Sequence, residues 1–213
     1  MVSRRGVGRP RAVARPDTGL SAREELLAAA AELFTVNGYS ATTTREVAER
    51  AGIRQATMYH YFAGKEALLA ELLESTVRPS LEAARLLAAS EAPAGARLWA
   101  LACRDAALLC SGAHNLGALY LLPEADRFEE FQALRAALKQ AYAGLLAPIT
   151  TDRLRAELVF SVVESVILIR RNASAVAVEP MAEAIADAAL RVGGVGEDDL
   201  VDLRKLGRAL LGG

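Results

Sequence analysis

From Leu26 to Leu72 the chain reads LLAAAAELFTVNGYSATTTREVAERAGIRQATMYHYFAGKEALLAEL. The stretch encodes a helix, two short helices joined by a tight turn, and the opening of a longer fourth helix. Just ahead of it, Ser21 and Glu24 have capping-box spacing and start the first helix. Leu26, Ala30 and Leu33 share one face of that helix, and Leu27, Ala31 and Phe34 the adjacent one. Asn37-Gly38 supplies its stop. Thr43 and Glu46 repeat the capping box, and Gly52 ends the second helix after Ala51. Ile53-Arg54 then leads directly into a helix predicted over Gln55–Phe62. Two short helices across a Gly-bearing turn of three or four residues make a helix-turn-helix.

At 100° per residue, Met58, Tyr61 and Phe62 fall on one face of the last helix and are expected to pack on Val47, Ala48 and Leu33. Ala56 and His60 then lie opposite, flanked by Thr57 and Tyr59, with Gln55 at the N-terminal tip. Recognition helices touch base edges mainly through their N-terminal residues. Gln55 suits adenine N6/N7, and the methyls of Ala56 and Thr57 suit a thymine methyl. Tyr59, His60 and Lys65 suit phosphate oxygens, which set register without reading sequence. Helices opening at Thr44 and Lys65 add backbone N–H donors beside Thr43, Thr44 and Arg45. The plain alternative is a packed three-helix unit with Tyr and His on a wet surface.

The combined pattern resembles the N-terminal DNA-binding domain of the tetracycline-repressor (TetR) family. The resemblance is carried by Ala29-x-x-Leu33-Phe34, Gly38-Tyr39-x-x-Thr42-Thr43, Val47-Ala48-x-x-Ala51-Gly52-Ile53 and Thr57-Met58-Tyr59-His60-Tyr61-Phe62-x-x-Lys65-Glu66-x-Leu68. It covers about fifty residues at fixed spacing. It implies a transcriptional regulator, most often a repressor, acting as a homodimer on a palindromic double-stranded DNA operator under the control of a small-molecule effector. Arg54, Gln55 and Ala56 stand where family members often have Ser, Lys and Gly. Losing the Ser removes an N-cap worth about 1 kcal/mol, and a cation at a helix N-terminus is disfavoured by the dipole until it meets phosphate.

The chain has 213 residues with 25 Lys/Arg against 26 Asp/Glu. That near-balance hides a basic head, net +4 over residues 1–65, on an acidic body, net −5 over the rest. Ala, Leu, Glu and Arg dominate and no alternating β-branched run appears, so the expected class is all-α. The longest apolar stretch, Leu158 to Ile169, contains Ser161, Glu164 and Ser165, too short and too polar to span a bilayer. The Arg-rich start has no apolar segment after it, so no signal peptide is read and a cytoplasmic protein without membrane attachment is expected.

Three regions are predicted: a flexible Arg-rich arm over 1–20, a helix-turn-helix domain over 21–66, and a helical ligand-binding and dimerisation domain over 67–213. In the arm, Gly8-Arg9-Pro10-Arg11 resembles minor-groove arms, in which Arg9 and Arg11 would enter the groove. A solvated tail that adds counterion-dependent affinity is the parallel reading.

A long helix is expected from Lys65, kinked near Pro79, followed by a linker over 90–95. Further helices are predicted at Arg97–Cys110, Asn115–Leu121, Arg127–Ala147, Thr151–Arg171, Glu179–Val192 and Asp198–Leu211. The resemblance places the dimer's four-helix bundle on the helices 151–171 and 179–192. The first of these is apolar nearly all round, as expected of a helix covered by its own domain on one side and a partner on the other. Which stripe faces the partner is not legible, and the role of the final helix stays open.

The resemblance also implies a ligand pocket, for which Trp99, Cys103, His114, Tyr120, Phe131 and Glu164 are the candidate lining residues. Trp99 and Phe131 read equally as core, and His114 as a cap for the helix from Asn115. Glu164 is the sharpest, because an acid in an apolar helix needs a partner. That partner is a ligand, Arg104, or a residue across the dimer seam. Cys103 and Cys110 read as small buried apolar residues, with a redox role left open. No cofactor is expected. Two His and two Cys, scattered, fit no metal spacing, and no catalytic constellation appears. The competing class is a helical small-molecule-binding protein or enzyme that has lost DNA binding.

Overall fold

A computed structural model describes residues 19–172 and 177–212, so the arm calls on Arg9 and Arg11 lie outside the described residues. All regular elements among them are helical: α1 Ala22–Val36, α2 Thr44–Ala51, α3 Gln55–Tyr61, α4 Lys65–Ser75, α5 Arg78–Ala88, α6 Ala94–Cys110, α7 Glu129–Leu146, α8 Arg153–Asn172, α9 Val178–Gly193 and α10 Glu197–Leu211. Two 3-10 helices, Leu116–Leu121 and Pro123–Arg127, sit between α6 and α7. The first replaces the α-helix expected over 115–121. Gly112, Gly117 and Pro123 break the segment into turns too short for an i→i+4 ladder.

Both capping boxes form as spelled. Glu24 N–H donates to Ser21 Oγ at 3.3 Å while Ser21 N–H donates to Glu24 Oε2 at 2.8 Å. Thr43 and Glu46 exchange the same pair at 3.2 and 2.7 Å. Gly52 ends α2 at φ +69°, a conformation that disfavours any side chain. Leu26, Ala30, Phe34, Val47, Ala48, Met58 and Phe62 form the core of this head. Tyr61 does not join them: it is 47% exposed. The helix ends at Tyr61 and Phe62 adopts extended backbone (φ −136°, ψ 128°), which turns the Phe62 ring inward. The i, i+3, i+4 stripe therefore stops one residue early.

The expected kink at Pro79 is a full break. α4 stops at Ser75, Thr76 bonds back to the Leu73 carbonyl at 2.6 Å, and Pro79 stands in the first turn of α5, where its missing N–H has no role in the ladder. Beyond the break, α6 runs through the centre of the body with Leu98, Trp99, Ala100, Leu101, Ala102 and Ala106 fully buried. Helices α5, α7, α8, α9 and α10 surround it.

Helix α8 resolves into two stripes. Val159, Phe160, Val163, Val166 and Ile167 point into the body, whereas Leu154, Leu158 and Leu168 are 65%, 46% and 51% exposed. The final helix α10 covers its own subunit's α6 and α9. Gly207 lies flat on Trp99: a Cβ there would come within 2.5 Å of the indole. Trp99 Nε1–H donates to Asp187 at 2.8 Å, Arg204 grips the same carboxylate with two N–H groups, and Arg208 pairs with Glu183 at 2.7 Å. Arg204 neutralises a carboxylate that burial would otherwise penalise. No helix among the described residues is long and apolar enough to cross a membrane.

Candidate functional site

The turn at Gly52 sets α3 across α2 so that Gln55, Ala56, Tyr59 and His60 stand exposed and Thr57 half-buried. Their spacing does the rest, since Met58 is fully buried and anchors the opposite face. Thr43 and Arg45 are exposed at the start of α2, with Thr44 half-buried beside them. Thr44 ties the two helices together: its Oγ1 accepts from Gln55 Nε2 at 3.1 Å and lies 3.2 Å from the Tyr59 hydroxyl. Gln55 keeps its carbonyl oxygen and one amide N–H, the pair an adenine edge requires. Arg45 holds Glu49 at 2.8 Å in an exposed i,i+4 pair that a phosphate could displace at little cost. Arg54 occupies the N-cap of α3 with no side-chain capping bond, since a guanidinium has no acceptor to offer the helix N–H groups.

Lys65, expected at phosphate, has its ammonium committed elsewhere. It donates to the carbonyls of Tyr39 at 2.8 Å and Thr42 at 2.9 Å, with Ser40 at 3.4 Å, and sits 4.3 Å from the centre of the Tyr39 ring. This clamp binds the start of α4 to the loop between α1 and α2. Thr42 completes that loop from inside, buried and donating to the Gly38 carbonyl at 2.8 Å. The clamp does not stand out in the sequence, because every acceptor is a backbone carbonyl 23 or more residues from Lys65.

In the body, a cavity of about 340 Å³ opens between α7, α8 and the 3-10 segments, walled by Tyr120, Phe131, Gln132, Arg135, Ser161 and Glu164 among others. Three of the six candidate ligand residues, Tyr120, Phe131 and Glu164, meet here. His114 lines a separate cavity of about 210 Å³ beside Thr76 and Arg170. Trp99 is core, bonded to Asp187 under α10. Cys103 is buried away from both cavities, and burial pushes its thiol up to about 11. Cys110 is buried too and its thiol is raised for the same reason, so neither offers an appreciable thiolate near neutral pH.

Glu164 finds its partner in Arg135 rather than Arg104. Arg135 Nε donates to Oε1 at 2.7 Å and Nη2 to Oε2, while the guanidinium lies 5.5 Å from the centre of the Phe160 ring. Tyr120 packs on Phe131 with ring centroids 5.0 Å apart, and its hydroxyl reaches the Thr76 hydroxyl at the end of α4. Glu124, in the second 3-10 helix, accepts from Ser40 of the head at 3.1 Å. The 3-10 segments therefore touch the cavity on one side and the head on the other. Behind them Asp105 is wholly buried, accepting from Ser80 at 2.8 Å and Tyr142 at 3.0 Å. Burial pushes its carboxyl up to about 6 against the lowering effect of those two donors. No group of three or more His, Cys, Asp or Glu that could hold a metal occurs among the described residues.

Residues 26–72 match the model of bacterial regulatory proteins of the tetR family. The HTH-type transcriptional repressor KstR2 of Rhodococcus jostii is 31% identical over 129 residues, covering 58% of this chain and 63% of that protein. KstR2 of Mycobacterium tuberculosis is 49% identical over 53 residues, 25% of this chain and 26% of that protein. The alignments thus span less than two thirds of these curated relatives. The crystal structure of Mycobacterium smegmatis AmtR superposes with a TM-score of 0.84 at 44% identity, covering 92% of this chain and 96% of that one.

Proposed function

We propose that this chain, which belongs to the tetR family of bacterial regulatory proteins, is a repressor that works as a homodimer under the control of a small molecule. It is a DNA-binding regulator through its helix-turn-helix head. The observation that carries the rest is the linkage of three parts: an exposed recognition face on α3, a cavity in the body, and 3-10 segments bonded to both head and cavity wall. A ligand that fits the cavity better in one setting of α4 shifts the population of DNA-competent molecules.

The homodimer reading rests on α8 and α9. Leu154, Leu158 and Leu168 form an exposed apolar stripe, and Met181, Ala184 and Ala188 of α9 are open or half-open beside it. An apolar stripe of this kind supports an interaction site there. Two-fold pairing would set two α3 helices about one DNA turn apart, roughly 34–36 Å, on a palindromic operator.

Fluorescence anisotropy with the DNA upstream of the chain's own gene tests the whole reading. The expected result is a complex that weakens steeply with salt and that a scrambled inverted repeat fails to form. Equal binding to both DNAs at all salt concentrations would leave a helical binding protein whose head no longer reads DNA.

A further inference from the structure

We propose, resting on the reading of the α7–α8 cavity as the effector site, that it takes a small zwitterion with an apolar side group, of the α-amino-acid kind, laid head-to-tail against the Arg135–Glu164 pair. The two charged groups form a ready dipole on the cavity wall. Arg135 carries five N–H donors and gives two of them to Glu164, so three stay available. Each Glu164 oxygen accepts a single bond in that pair and keeps further lone-pair capacity. Phe160 and Tyr120, with ring centres 5.5 and 6.0 Å from the guanidinium carbon, hold it in place.

The remaining wall sorts ligands by charge. Ser161 and Ser165 donate to their own helix, to the carbonyls of Glu157 at 2.9 Å and Val162 at 2.6 Å, so they face the cavity as acceptors. Asp126 adds a carboxylate, and Arg135 is the single cation among the described lining residues. A lone anion would share Arg135 with Glu164 and meet Asp126. A lone cation would find Glu164 and Asp126 but leave the three free Arg135 N–H groups without an acceptor. A purely apolar molecule would strip water from Arg135 and Asp126 without replacing its hydrogen bonds. A zwitterion sets its carboxylate on the free N–H groups and its ammonium on Glu164 and the serine oxygens, so both ligand charges gain an opposite neighbour and the existing pair survives.

Size and the apolar half of the lining agree. Leu121, Phe131, Ile167 and Leu168 supply apolar wall, and the cavity of about 340 Å³ equals roughly eleven water volumes, room for a ligand of about a dozen non-hydrogen atoms. Titration calorimetry and thermal shift on the full chain, with four probes on one scaffold, decide the class: L-phenylalanine, 3-phenylpropionate, phenethylamine and 3-phenylpropanol. The expected result is L-phenylalanine at least tenfold tighter than each of the other three. Glu164→Gln should move the preference to 3-phenylpropionate and Arg135→Gln to phenethylamine, a crossover that mere loss of packing does not produce. If 3-phenylpropionate matches L-phenylalanine on the wild-type protein, or no probe binds at millimolar concentration, the zwitterion class is overturned. If a variant fails to fold, the wild-type ranking decides alone. Gln132→Trp, which fills the cavity from α7 and lies off the outer stripe of α8, tests the effector site separately. Altered operator affinity keeps the site even where the class fails, and unaltered affinity removes the site as an effector pocket.

Discussion

The Tyr120 hydroxyl is hydrogen-bonded to the Thr76 hydroxyl, so one wall of the cavity is fastened to the residue that ends α4. Thr76 is buried and also bonds back to Leu73, which makes the break between α4 and α5 a defined joint rather than a loose one. Displacing Tyr120 is expected to remove this bond from the end of the helix that enters the DNA-binding head.

Tyr120→Phe and Thr76→Val should each lower body stability, and a double-mutant cycle by urea denaturation should return a coupling of about 1 kcal/mol. Both single variants should also shift operator affinity in the same direction, because each frees the same joint. A cycle that closes with no coupling would mean the two hydroxyls do not support one another in solution.

Asp105 gives the body a built-in pH dependence. Its folded carboxyl is raised to about 6 from the ordinary 3.8, with burial the leading cause. The folded state therefore holds this proton more tightly than the unfolded state. The resulting stabilisation is complete below about pH 3.8, falls as pH rises, and is gone above about 6, a span on the order of 3 kcal/mol. Asp105→Asn keeps a group that can bond Ser80 and Tyr142 but cannot ionise. Between pH 5 and pH 7.5 the variant should gain about 1 kcal/mol relative to wild type in urea melts. Parallel stability curves for the two proteins would place the carboxyl back in the ordinary range.

What the sequence made legible was local. Ser21/Glu24, Thr43/Glu46 and Gly52 each act within four residues, so the head's helices follow from short patterns. Tyr61 escapes because the chain leaves the helix at Phe62, which periodicity does not see. Glu164 announces itself as an acid among Val and Ile, but its partner Arg135 lies on a different helix, 29 residues away. The same criterion, applied to WALACRDAALLC and AIADAAL, singles out Asp105 and Asp187, both buried and both bonded. Lys65 is read toward phosphate from its family-like position, and only the folded loop reveals the three carbonyls its ammonium meets.

On α3 the roles are expected to divide by position. Gln55→Ala should relax preference at particular base pairs, each such contact being worth about 1–3 kcal/mol. His60→Ala should weaken operator and non-operator DNA alike, as a phosphate contact would. Tyr59→Phe belongs with His60 but also removes the link to Thr44, so it should loosen α2 against α3 as well. Binding measured across a set of single-base operator variants separates these outcomes. A Gln55→Ala protein with unchanged site preference would move base reading elsewhere on the helix.

The two stripes of α8 make the dimer seam testable with a matched pair. Leu158 stands 46% exposed on the outer stripe, while Val166 is fully buried on the inner one. Leu158→Arg leaves the subunit's own core untouched and places a charge where two helices would meet across the two-fold. A buried, unpaired charge costs several kcal/mol, enough to dissociate a dimer at micromolar concentration. Sedimentation should therefore find a folded monomer with wild-type far-UV helicity, and operator binding should collapse because one α3 alone reaches a single half-site. Val166→Arg puts the same charge into the body and should unfold it instead. Leu154→Arg, one turn earlier on the outer stripe, repeats the test independently. If both outer variants remain dimeric and bind the operator normally, the subunits do not pair through this face.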